Sequence, residues 1–329
     1  MSQPYTYGQS ILHEGDCLTW LKKRAKTHRR SIHAVVTDPP YGINEYLELE
    51  KQKLREGRGG VWRIAPSFDG HQRSPLPRFT VLNSSDLDYL HDFFKAWAEL
   101  LRPTLLPGAN VIVACHPLIS PYISMALTRA GLERRGEIVR QVMTMRGGDR
   151  PKNAHQEFSD VSVMPRSKWE PWLLYREPIE AKMTVADNLR KHRTGGLRRI
   201  SGDQPFYDLI PSRPTGKSER ALAKHPSLKP QAFLRQVVRA ALPLGEGVIL
   251  DPFAGSGSTL AAAEAVGYES IGIELDPEYV AVAQEAIPKL VELDVKTPDL
   301  DDEPTLFDSE LEVIDLRLAA TAELCACEQ

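Results

Sequence analysis

The sequence predicts an α/β fold built on a mostly parallel sheet with helices on both faces. Three observations carry this. Short apolar, β-branched runs occur at 32–37, 110–114 and 247–251, the pattern of strands buried on both faces. Segments with helical spacing of apolar residues lie between them at 85–101 and 120–130. Two of the runs close on an acid, Asp38 and Asp251, at the strand end where open α/β sheets place their ligands.

Taken in order, Ile11–Leu18 is a short strand with a Gly15-Asp16 turn into a helix, and six of the nine residues from Lys22 to Arg30 are Lys or Arg. Such a run is ordinarily a solvated helix face, with phosphate contact as the sharper alternative. The strand at 32–37 leads into Asp38-Pro39-Pro40-Tyr41. Two prolines stiffen this loop and remove two donors, so a carboxylate, the Pro39 carbonyl and an aromatic ring lie within four residues. That trio suits a planar group bearing an NH2; the competing reading is an ordinary Pro-Pro turn.

Residues 45–80 are polar and irregular, which predicts a mobile flap beside the site. Leu87, Leu90, Phe93, Phe94, Trp97 and Leu101 give a core-facing helix capped by Ser84 or Ser85. Strands follow at 110–114, 138–145 and 169–175. From 181 to 230 there are eleven Lys or Arg against four Asp or Glu, with Phe206 and Tyr207 interleaved, a composition that suits a nucleic-acid surface. The glycine turn Phe253-Ala254-Gly255-Ser256-Gly257-Ser258-Thr259 follows the strand ending at Asp251. Its glycines admit a ligand to the backbone and the next helix start favours an anion; Leu260 stands where a dinucleotide fingerprint needs glycine. A strand at 270–274 ends in Glu274, an acceptor for two ribose hydroxyls or simply a cap, and Asp276-Pro277 opens a further helix.

The net charge of −3 conceals this basic middle and a tail, 295–329, with ten acidic and two basic residues. With no long apolar run and no signal-like start, the chain is expected to be cytoplasmic, without a membrane partner. Cys17, Cys115, Cys325 and Cys327 fit neither a disulfide framework nor zinc spacing, so no metal is expected.

Asp38-Pro39-Pro40-Tyr41-Gly42-Ile43, His225-Pro226-Ser227-Leu228-Lys229-Pro230, the 251–259 turn, Gly272-Ile273-Glu274-Leu275-Asp276-Pro277-Glu278-Tyr279 and Gly15-Asp16-Cys17-Leu18 together resemble the S-adenosylmethionine-dependent amino-methyltransferases of DNA. Their order, catalytic tetrapeptide before cofactor loop with the basic segment between, is that of the β class, and argues for DNA over protein or RNA. The resemblance implies a seven-stranded, mostly parallel, Rossmann-like sheet with circularly permuted motifs. It assigns the catalytic role to Asp38, Pro39, Pro40 and Tyr41, with adenine-N6 favoured because many cytosine-N4 enzymes carry Ser at the first position. It implies S-adenosylmethionine bound by Asp251, Phe253, Gly255, Ser256, Gly257, Ser258 and Thr259, with Ser227 and Lys229 at its methionine end, Glu274 on the ribose, and Asp16 and Cys17 near the adenine.

The resulting organisation is a catalytic half at 1–145 containing the 45–80 insertion, a basic target-recognition region at 146–224, a cofactor half at 225–292 and an acidic tail at 293–329. Double-stranded DNA is the expected partner, contacted through Arg190, Lys191, Arg193, Arg198, Arg199, Arg213 and Lys217. Homodimerisation is common in the class, though no stretch predicts it. Glu303-Pro304-Thr305-Leu306-Phe307 loosely resembles sliding-clamp docking motifs; a solubilising tail is the simpler reading. The alternatives are a cytosine-N4 enzyme, a non-catalytic nucleic-acid-binding subunit of the same fold and, more remotely, a dinucleotide oxidoreductase.

Overall fold

In the computed structural model the described residues are 3–40, 84–142, 151, 154, 156–163, 165, 167–223 and 228–295, with the backbone of 67–68 and 71–72. Tyr41, Ser227, most of the 45–80 insertion and the acidic tail lie outside them.

The elements run β1 (Tyr5–Tyr7), β2 (Ser10–Glu14), α1 (Cys17–Thr27) and β3 (Ile32–Thr37), then the two-residue hairpin strands β4 (Ser67–Phe68) and β5 (His71–Gln72). Next come α2 (Ser84–Leu101), β6 (Leu105–Ala114), α3 (Ser120–Arg129), β7 (Glu133–Gln141), β8 (Trp169–Arg176), α4 (Val185–His192), β9 (Leu209–Pro211) and α5 (Lys217–Leu222). The chain continues through α6 (Gln231–Ala241), β10 (Val248–Asp251), α7 (Ser258–Ala265), β11 (Glu269–Glu274) and α8 (Pro277–Val291).

The main sheet has nine strands in the order β1-β2-β11-β10-β3-β6-β8-β7-β9, two more than the resemblance implies. β2, β11, β10, β3 and β6 are parallel; β8 runs against both β6 and β7, and β9 is parallel to β7. The extra strands are the three-residue edges β1 and β9, which close the sheet with few exposed backbone groups.

β3 is central and covered on both faces, which is why its middle, Ala34-Val35-Val36, is apolar and fully buried. Val35 packs with Trp20 and Leu21 of α1, Phe94 and Trp97 of α2 and Ile123 of α3, whereas Ala34 and Val36 pack with Phe233 and Val237 of α6 and Ala262 of α7. Burying each such large side chain contributes about 1.5–3 kcal/mol. The next described helices after β3 and β10, α2 and α7, lie on opposite faces, so a crevice opens between the carboxyl ends of these adjacent strands. Among the described residues no helix is long and apolar enough to cross a membrane.

Candidate active site

Of the strands that border the crevice, β10 ends in an acid, Asp251, and β3 is followed at once by one, Asp38. Thr37, the last residue of β3, donates its hydroxyl to Asp251 at the end of β10 over 2.6 Å, and the Phe253 N–H donates to the same carboxylate oxygen over 3.1 Å. Burial pushes the Asp251 carboxyl up to about 6, against the pull of the Thr37 and Thr259 hydroxyls. This side chain therefore ties the strand bearing Asp38 to the glycine turn.

A raised carboxyl means that the folded protein binds the proton more tightly than the unfolded chain. The contribution of Asp251 to stability thus falls as pH rises from about 4 to about 6, by up to about 3 kcal/mol at about 1.4 kcal/mol per unit. Asp251→Asn removes the buried charge, so its melting temperature is expected to gain on the wild type between pH 4.5 and 7.5. Thermal unfolding at both pH values checks this; parallel curves contradict it.

Asp38 follows β3 directly, half-buried, with Pro39 buried beside it. The Lys229 ammonium lies 2.8 Å from Asp38 Oδ2 and 3.6 Å from Glu170 Oε2. Glu170, at the start of β8, also accepts the Trp172 indole N–H at 2.8 Å and an Arg140 N–H at 3.4 Å. Burial pushes the Glu170 carboxyl up, but Lys229 and Arg140 outweigh it and hold the group below the usual range. Burial likewise pulls Lys229 down, and the carboxylates of Asp38 and Glu170 reverse this, so the ammonium stays charged. Sequence reasoning set Lys229 on the cofactor; here its partners are acids, one of them Asp38. It missed Glu170 and Arg140 altogether.

The glycine turn lines the same cleft: Phe253, Gly255, Ser256, Ser258 and Thr259 share it with Asp38, Asp251 and Lys229. Gly257 has φ +79°, and a Cβ there would meet Ile287 at 2.5 Å, so both backbone and space demand glycine. The turn is held by Glu274, whose Oε2 accepts the Gly255 N–H at 2.7 Å and whose Oε1 accepts the Asp276 N–H at 2.9 Å. Burial raises the Glu274 carboxyl while these N–H groups lower it. The Gly15 N–H donates to the Glu274 carbonyl, bringing the ends of β2 and β11 together. Asp16 and Cys17 accordingly stand beside Glu274; Asp16 caps α1 by accepting the Thr19 N–H, and burial pushes the Cys17 thiol up to about 12.

The basic candidates divide between the two ends of the sheet. Arg190 pairs with Asp187, Lys191 with Glu180 and Arg193 with Glu246. Arg198 donates to the Tyr268 hydroxyl and Arg199 to the Gly202 carbonyl. These five gather at the amino edge, where Asn188 of α4 pins the segment to the Pro107 carbonyl at the start of β6. The six residues of β3 span roughly 20 Å, so this edge is about that far from Asp38. Arg213 and Lys217 instead follow the carboxyl end of β9, on the Asp38 side, and both are exposed.

The family model N6_N4_Mtase, described as DNA methylase, matches residues 32–285. The type II methyltransferase M2.LlaDCHI of Lactococcus lactis subsp. cremoris is 24% identical over 292 residues, 88% of this chain and 93% of its own. Among solved structures, an M1.HpyAVI–SAM complex superposes with a TM-score of 0.52 at 18% identity, covering 86% of this chain and 100% of that one. The cytosine-N4-specific PvuII DNA methyltransferase superposes with a TM-score of 0.54 at 17% identity over 87% of this chain and 93% of that one.

Proposed function

We propose that this chain, which belongs to the N6/N4 DNA methylase family, methylates the exocyclic N6 amine of a flipped adenine in duplex DNA. S-adenosylmethionine is the methyl donor and supplies, when bound, an electrophilic methyl on a sulfonium. The residues present fit it. Glu274, its carboxylate aimed by two backbone N–H groups, offers acceptors for ribose hydroxyls, while the turn into α7 offers glycine backbone and a helix start for a carboxylate.

The observation that carries the reading is the Thr37–Asp251 hydrogen bond, which sets Asp38 and the glycine turn into one cleft. A base stacked in a duplex cannot enter such a cleft, so it must be extruded. Asp38 and the Pro39 carbonyl accept the two amine hydrogens, which turns the nitrogen lone pair out of conjugation with the ring. As the nitrogen gains positive charge, the Asp38 carboxylate stabilises it electrostatically, and the proton leaves after attack. Tyr41, by its place in the tetrapeptide, stacks on the base. Adenine is favoured by Asp at the first position of that tetrapeptide.

Duplex contact is assigned to the rim beside Asp38, through Arg213 and Lys217. Arg213→Ala with Lys217→Ala is expected to weaken DNA binding about tenfold on all sequences and to reduce the salt slope by about two, one per lost phosphate contact. Arg190→Ala with Lys191→Ala is expected to change affinity less than about twofold. Filter binding against salt concentration checks both; equal losses contradict the assignment.

The reaction is tested by incubating the protein with labelled cofactor and duplex DNA of mixed sequence, followed by nucleoside chromatography. Label in N6-methyladenine is expected. Label in N4-methylcytosine overturns the base assignment, and bound cofactor without transfer overturns catalysis in favour of a binding subunit.

A further inference from the structure

Four charged side chains, two of each sign, form a sheltered chain that ends on Asp38. Arg140 and Glu170 are cross-strand partners on β7 and β8, with side chains only 6% and 17% exposed. Arg140 is fixed on three sides: it donates to the Ser212 hydroxyl at 3.0 Å and to the Arg213 carbonyl at 3.1 Å, and its guanidinium lies 5.3 Å from the Phe233 ring centroid. Glu170 is held by Arg140 and the Trp172 indole on one side and faces Lys229 on the other. Lys229, 12% exposed, then reaches Asp38. The contacts thus run from Arg140 through Glu170 and Lys229 to Asp38.

Ion pairs this deep are not needed to close a strand end, where apolar residues pack at less desolvation cost. Their order explains their presence. A lysine side chain is long and rotatable, and alone it holds a carboxylate loosely; backed by an anion that is itself rigidly clamped, it has one place to stand.

We propose that Glu170 is a positioning residue: clamped by Arg140 and Trp172, it holds the Lys229 ammonium against Asp38, and Lys229 in turn fixes the orientation in which the Asp38 carboxylate meets the target amine. The inference rests on the assignment of Asp38 to that amine. It also ties the rim at Arg213 to the reacting group, because Arg140 grips that residue's carbonyl.

The test is a double-variant cycle in the full chain. Glu170→Gln keeps one acceptor oxygen, for the Trp172 indole, and replaces the oxygen that faces Arg140 and Lys229 by an amide NH2, so the charge and the hold on Lys229 are lost together. Its kcat is expected to fall about 10- to 100-fold, the scale of a misplaced reacting group, with DNA KM and cofactor Kd within about twofold of wild type. Lys229→Met is expected to lower kcat at least as far. In that background Glu170→Gln is expected to alter kcat less than about twofold, because its effect passes through Lys229. The double variant, with one cation and one anion removed together, is expected to melt above Lys229→Met alone.

An unchanged kcat in Glu170→Gln overturns the proposal, as does a loss that multiplies that of Lys229→Met. A fall in cofactor affinity and melting temperature that tracks the fall in kcat makes Glu170 a structural group only, and overturns it too. If the wild type transfers no methyl to DNA, the proposed reaction fails. The melting temperatures then judge the clamp alone: additive losses refute it, and non-additive losses uphold the contact without the reaction.

Discussion

Asp38→Ala is expected to lower the rate of methyl transfer about 10³-fold or more while cofactor affinity stays within about twofold of wild type. Two losses multiply to at least this figure. Without the carboxylate the amine is no longer oriented, and misalignment of a reacting group alone costs about 10²-fold. The charge that develops on nitrogen also loses its fixed counter-charge in a sheltered site, a further contribution of comparable size. The cofactor loop is built from β10 and β11, so its own contacts survive. Among the described residues, removing Asp38 leaves the Lys229 ammonium with Glu170 as its acidic partner, and a sheltered cation that loses a partner destabilises the fold. Asp38→Asn, which preserves the shape and an acceptor oxygen, serves as the companion variant. Rapid-quench methyl transfer on duplex DNA, with cofactor affinity by calorimetry, separates loss of chemistry from loss of folding. A variant that retains more than about a tenth of the wild-type rate contradicts the assignment.

Glu274→Ala is expected to show the opposite split: cofactor Kd rises about 10²-fold while the rate at saturating cofactor stays within about threefold. Two hydrogen bonds from ribose hydroxyls to a carboxylate are lost, each at the lower end of the about 1.5–3 kcal/mol typical of charged acceptors, and about 2.7 kcal/mol is a factor of about 10². The Gly255 and Asp276 N–H groups also lose their partner, which loosens the turn. Titration calorimetry with the cofactor and its demethylated product reads the effect directly. An unchanged Kd removes Glu274 from the ribose site and leaves it the role of organising the turn.

Much of this centre is legible in the chain because each piece is local. The run Ile32–Thr37 becomes β3 residue for residue, since burial on both faces favours a run that is mostly apolar and β-branched. The helix opened by Asp276-Pro277 is found as α8, with Asp276 accepting the Glu278 N–H. The glycine turn is marked by residues that only its backbone requires. What escapes the sequence is non-local. Arg140 and Glu170 are thirty residues apart and meet only through the antiparallel register of β7 and β8, which no periodicity encodes. In the basic stretch around Arg190 two partners come from outside the stretch, Glu180 for Lys191 and Glu246 for Arg193, while Arg190 pairs with Asp187 inside it. β1 and β9, three residues each, are too short for any pattern to announce.

The segments between 146 and 224 also have a second role that composition hides. β8 and β9 complete the main sheet, and β8 delivers Glu170 to the cleft. The region proposed to recognise DNA is therefore built on the same strands that shape the reacting centre, and Arg213 and Lys217 leave it at the edge where Asp38 stands.

The central claim is that Asp38, set beside the cofactor turn, directs methyl transfer to an amine in DNA. Modification-sensitive long-read sequencing of DNA from cells expressing the wild type or Asp38→Ala tests it most directly. N6-methyladenine at a single recurring sequence in the first sample and none at that sequence in the second is the predicted result; identical marks in both samples, or none from the wild type, would contradict it.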